Sequence, residues 1–155
     1  MNVDEKVNAR GLRMDVLRWQ LPDKQTSEAE MQVLLVDDNA LQACTREAIL
    51  VRSDIAVIVV HGAEEALAVL EDPDIASDIT LMVTDHLMPG MNGAELARRV
   101  RSFAPKLPSL VLSGMPDAEA EYAGLDVTFQ LKPFPPPEFI RLVKSMRCRQ
   151  ALRSA

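Results

Sequence analysis

A doubly wound α/β sheet of five parallel strands is the fold this sequence predicts from residue 31 onward, and three observations predict it. Short apolar runs alternate with segments of helical period. The runs are too uniformly apolar to be strands with one face in water. Each run stops at a polar or charged residue. Strands buried on both faces and alternating with helices mean a parallel sheet covered on both sides. Right-handed crossovers leave few topologies, and the strand order 2-1-3-4-5 fits them. In such sheets the ligand site lies beyond the carboxyl ends of the strands, where the order reverses.

The elements follow in order. Residues 1–30 form an N-terminal extension or linker of mixed charge, with one apolar stretch from Leu12 to Leu21 that fits a strand or a helix face equally. Gln32 to Val36 is the first strand and runs into Asp37-Asp38. Asn39 can cap a helix from Ala40 to Arg52, with Leu41, Cys44, Ala48 and Val51 at helical spacing. Ile55 to Val60 is β-branched and strand-like. Gly62 to Glu71 is an Ala-rich helix stopped by Asp72-Pro73. Ile79 to Thr84 is a strand ending at Asp85, and Gly93 to Arg101 is a helix with Leu96 and Val100 inward. Ser109 to Leu112 is a strand ending at Ser113-Gly114, and Pro116 to Tyr122 holds one short helix. Val127 to Leu131 is the last strand, ending at Lys132-Pro133. Phe139, Leu142, Val143 and Met146 mark the inner face of a final helix from Pro136 to Arg149, and residues 151–155 are a C-terminal tail.

Composition narrows the function. Aromatics are only 4% of the chain against 48% hydrophobic residues, so the core must be aliphatic. A net charge of -6 argues against direct binding of a nucleic-acid backbone, which rewards clustered Lys and Arg. Cys44 and Cys148 have neither disulfide-framework nor metal spacing, and Cys44 is expected to be a packing residue. No apolar run approaches the roughly 18–20 residues that cross a bilayer. A soluble, cytoplasmic protein is the expectation, with no membrane partner.

The residues at the predicted strand ends carry the chemistry. Asp37, Asp38 and Asp85 converge there with the Ser113 hydroxyl and the Lys132 ammonium. Three close carboxylates repel unless a cation neutralises them. Oxygen ligands without clustered Cys or His suit a hard ion, Mg²⁺ first. A carboxylate left free can attack phosphorus to give an acyl phosphate. The metal and Lys132 would stabilise charge on the transferring group, and Ser113 could hydrogen-bond the phosphate once it arrives. His61 and His86 are expected to face solvent, and Met31, Met82, Met88 and Met91 to be ordinary core or loop residues.

Four segments then resemble the signature segments of response-regulator receiver domains. They are 33–39 (VLLVDDN), 83–93 (VTDHLMPGMNG), 112–114 (LSG) and 131–134 (LKPF). Taken singly each has a plain reading: a helix N-cap at Asp37-Asp38, a turn after Asp85, a turn at Ser113-Gly114, a strand end at Lys132-Pro133. Four in order, each at a strand end, are specific. The resemblance covers residues 31–150 and implies a flavodoxin-like receiver fold. It implies Asp85 as phosphoacceptor, Asp38 as direct metal ligand, Asp37 holding Mg²⁺ through water, and the Leu87 carbonyl completing the coordination. It makes Ser113 the switch hydroxyl and Phe129 the aromatic switch. Lys132 would pair with the phosphate and precede a cis peptide at Pro133, with Gly114 small where phosphate enters. The implied donor is a histidine kinase or histidine phosphotransfer protein, and a downstream protein partner reads the switch. A homodimer stays open.

The departures matter too. The stretch from Ser113 to Lys132 is shorter than is common in the family, so no family dimer interface carries over. Short versions are frequent in receivers attached to hybrid histidine kinases, and residues 11–22 faintly resemble the last strand of a kinase ATP-binding domain. A stand-alone receiver and one excised from a larger protein both fit the chain. The resemblance implies that Leu87 and Met115 stand where receivers flank the path of attacking water, and both are apolar and can orient none, so slow phosphoaspartate hydrolysis is expected. Asn or Glu at either position should raise the dephosphorylation rate, and an unchanged rate removes that idea. A magnesium phosphatase with an aspartyl-phosphate intermediate is the enzyme alternative. It would need an acid where Leu87 stands. A degenerate, binding-only receiver is the third reading, and the intact acidic set opposes it. The chain is expected to phosphorylate and slowly dephosphorylate itself rather than to turn over a metabolite.

Overall fold

The computed structural model describes residues 31–154. The Leu12–Leu21 stretch and its kinase-like resemblance lie outside the described residues. The elements are β1 Gln32–Val36, α1 Ala40–Arg52, β2 Ala56–Val60, α2 Ala63–Glu71, α3 Pro73–Ala76, β3 Ile79–Asp85, α4 Gly93–Phe103, β4 Ser109–Ser113, a 3₁₀ helix Pro116–Tyr122, β5 Thr128–Leu131 and α5 Pro136–Ser154. The five strands pair in parallel in the order β2-β1-β3-β4-β5. This is the predicted doubly wound sheet.

Side chains alternate between the two faces of each strand, so one strand feeds two cores. Leu34, Val36 and Met82 pack with Ala66, Leu70, Leu96 and Val100 of α2 and α4. Val33, Leu35, Leu81, Val83, Leu110 and Leu112 pack with Leu50 of α1 and with Phe139, Val143 and Met146 of α5. A third cluster joins Ala94, Ala97, Val111 and Tyr122, with Phe129 packed against it.

Most boundaries fall within a residue or two of expectation, and three local findings differ. Asp72 caps a further short helix, α3, by accepting from the Asp74 N–H. Pro73 sits at its start, where a missing N–H costs nothing. α5 continues to Ser154, past the Arg149 end read from the sequence. The third concerns α1. Asn39 caps it as expected, accepting from the Gln42 N–H. Its buried face, however, is Ala43, Arg46 and Leu50. Leu41 and Val51 are exposed, as are Cys44 and Ala48. Cys44 is therefore not the packing residue it was expected to be. The helix turns the side that carries Ala43 and Leu50 to the sheet, where a charged residue, Arg46, takes a buried position.

Candidate functional site

The strand order brings the carboxyl ends of β1, β3, β4 and β5 to one edge. Asp37 follows β1 directly, Asp85 and Ser113 end β3 and β4, and Lys132 follows β5. One oxygen each of Asp37, Asp38 and Asp85 lies within 4.8 Å of the others. Asp37 and Asp85 are buried, at 0% and 4% exposure, while Asp38 is exposed. The trio thus has two anchored acids and one at the mouth. An all-carboxylate donor set of this compactness fits a hard, oxygen-preferring dication.

Two cations meet the acids. Lys132 Nζ lies 2.7 Å from Asp85 Oδ1. Arg46 Nη1 lies 3.1 Å from that same oxygen and 2.5 Å from Asp37 Oδ2. The remaining Asp37 oxygen accepts from the Asn39 N–H at 2.9 Å. Gln42 Oε1 accepts from Arg46 Nη2 at 3.3 Å and from Lys132 Nζ at 3.5 Å, tying the two cations together. Burial pushes the Asp37 carboxyl up to about 7, reinforced by its hydrogen bond to Asp85 and that carboxylate's charge. The Asn39 N–H and the Arg46 guanidinium pull the other way.

The remaining predicted residues fall as follows. Ser113 is buried, and its Oγ accepts from the Met115 N–H at 3.0 Å and donates to the Met115 carbonyl at 3.3 Å. In this geometry its hydroxyl closes a local turn. The Leu87 and Met115 side chains are exposed at the site's edge. The Lys132-Pro133 peptide is cis, as the resemblance implied. Phe129 is half-buried against Tyr122, with ring centroids 5.8 Å apart.

His86 corrects an expectation. It is buried rather than solvent-facing, at 3% exposure. Its Nδ1 shares a 2.6 Å hydrogen bond with Tyr122 Oη, and its Nε2 lies 3.6 Å from Glu121 Oε2. A buried imidazole needs such partners. The chain therefore runs from the residue after Asp85 through Tyr122 to Phe129. His61 is exposed, as expected. Arg46 is the site residue the sequence reading missed. The signal that could have found it is its place two turns into a helix beginning just after the acid pair.

The model for "Response regulator receiver domain" matches residues 33–144. Two-component response regulator ORR6 of Oryza sativa is 32% identical over 78% of this chain and 74% of its own length. The hydrogenase transcriptional regulatory protein HoxA of Cupriavidus necator is 30% identical, and Response regulator RppA of Synechocystis 29% identical. The chain spans 26% of HoxA and 51% of RppA. Among solved structures, a response regulator receiver protein from Pseudomonas putida superposes with a TM-score of 0.65 at 32% identity, covering 74% of this chain and 96% of that one. A receiver domain protein from Clostridium thermocellum reaches a TM-score of 0.70 at 19% identity over 79% of this chain and 98% of its own, and shares the fold. Sheet order, strand-end acids and a match across most of the described residues agree, and the chain belongs to the response regulator receiver domains of two-component systems.

Proposed function

We propose that residues 31–150 form a phospho-accepting switch in a two-component phosphorelay, with Asp85 as the acceptor. One observation carries the reading: the Asp85 carboxylate ends the central strand within 4.8 Å of two further acids and 2.7 Å from a lysine ammonium. Phosphoryl transfer needs little covalent help from a protein, and positioning and charge stabilisation dominate.

The donor class is a phosphohistidine on a histidine kinase or a histidine phosphotransfer protein. An Asp85 carboxylate oxygen forms the new O–P bond while the P–N bond to imidazole breaks, and the departing nitrogen takes up a proton. Lys132 holds Asp85 in place and meets the incoming phosphoryl oxygens. Asp37, Asp38 and Asp85, with the Leu87 carbonyl, would hold Mg²⁺. When bound, the metal neutralises the acids and stabilises charge on the transferring group. Once phosphate is present, Ser113 exchanges its turn partners for a phosphate oxygen, and Phe129 rotates inward in response. Such a shift is a two-state change biased by a local charge event. The moved surface is what a downstream protein reads. No metabolite is turned over, and the phosphoaspartate is lost by slow self-hydrolysis. A cytoplasmic setting goes with this chemistry, and no helix among the described residues is long and apolar enough to cross a membrane.

The test is incubation with Mg²⁺ and acetyl phosphate or phosphoramidate, followed by intact mass. The expected result is one phosphoryl adduct, absent in Asp85→Asn. An adduct that persists in Asp85→Asn overturns the assignment of Asp85.

A further inference from the structure

The guanidinium of Arg46 is the feature the reading above does not use. It comes from α1, its side chain is 10% exposed, and it bridges two of the three acids. The pocket therefore holds three carboxylates and two fixed cations before any metal arrives. Both carboxylate oxygens that Arg46 engages belong to residues that would share the dication. Asp37 is committed on both oxygens, to Arg46 and to the Asn39 N–H, and Asp85 Oδ1 carries both Arg46 and Lys132.

We propose that Arg46 is a resident counter-ion of the acid pocket, which competes with the divalent cation and sets how tightly this receiver holds it. Resting on the metal-site reading above, the inference makes Arg46 a positioning and selectivity residue acting through Asp37 and Asp85. Guanidinium is always charged and binds carboxylates through a planar fork. It offers the acids a permanent partner that needs no ion from solution. A dication entering the pocket must displace it from Asp37 or share that carboxylate with it. Either course adds cationic repulsion, in a site where burial leaves charges poorly screened. Gln42, which accepts from both Arg46 and Lys132, is the nearby group that can hold the guanidinium when Asp37 is given up.

The test is calorimetric titration of the full chain with MgCl₂ alone and MnCl₂ alone, in wild type, Arg46→Gln and Arg46→Lys. Arg46→Gln removes the charge and should tighten both ions by about tenfold or more. Arg46→Lys keeps the charge and should stay within about threefold of wild type. Circular dichroism without and with metal accompanies each titration. If Arg46→Gln is unfolded without metal, folding driven by millimolar Mg²⁺ is the expected result, since the dication then supplies the missing charge. Equal or weaker metal affinity in Arg46→Gln overturns the inference and leaves the metal site standing, as does a variant that metal cannot fold. Absence of binding in all three proteins overturns the metal-site reading and the inference with it.

Discussion

At the scale of single residues the acids behave unequally because their surroundings differ. Asp38 stands at the mouth in solvent, whereas Asp37 is buried beside Asp85. Burial and the neighbouring carboxylate raise the Asp37 carboxyl from 3.8 to about 7. The folded metal-free protein therefore binds more protons than the unfolded chain between those values. Stability falls with rising pH wherever the native state holds the extra proton. The contribution is fully present below about pH 4 and is lost as pH rises through about 7. Urea denaturation in EDTA should show the metal-free protein losing stability from pH 5 to pH 8. Asp37→Asn, which cannot ionise, should flatten that part of the profile, and an equally steep decline in the variant would remove Asp37 as its cause.

At the scale of elements, α4 meets β3 with almost no room to spare. A Cβ built on Gly93 would lie 2.6 Å from Tyr122 Oη and 2.7 Å from the Asp85 backbone oxygen. The Gly93 N–H also donates to the His86 carbonyl at 2.8 Å. The tyrosine is held by His86, and the backbone oxygen belongs to the sheet, so neither can yield freely. Gly93→Ala should cost about 1–3 kcal/mol, the usual range for overpacking a filled site. Chemical denaturation measures it, and a loss under about 0.5 kcal/mol would mean the helix start simply shifts. α1 shows where element-level reading fails. Its apolar residues Leu41, Cys44, Ala48 and Val51 match a helical stripe, yet the sheet receives Ala43, Arg46 and Leu50. Hydrophobic spacing ranks an arginine as outward, and only the acids across the gap reverse that. The pairing partner is 39 residues away in sequence for Asp85, and no local pattern encodes it. His86 was misplaced for the same reason, its partner Tyr122 being 36 residues on.

Over the whole molecule, the legible part was what period and strand ends carry. β1, β3 and β4 are apolar enough that burial on both faces was the reading, and the order 2-1-3-4-5, which fitted it and which the receiver resemblance implied, is the order found. Asp37, Asp38, Asp85 and Lys132 were legible because each stands at the end of a predicted strand, and the structure gathers them. Arg46, His86 and Tyr122 were less legible because their partners are distant in sequence, 39 residues between Arg46 and Asp85 and 36 between His86 and Tyr122. The chain's two-sided core has one more consequence, drawn from β1. Because Val33 and Leu35 serve one face and Leu34 and Val36 the other, sliding this strand by one residue would trade hydrocarbon for hydrocarbon. Greasiness alone cannot tell the two alignments apart. What can is the polar bookend at each extremity: a slide one way drags the Asp37 charge inward, and the other way draws in Gln32. Asp37 at the rim thus also acts as an alignment stop for β1, and a protein stripped of it would lose a folding instruction along with its chemistry.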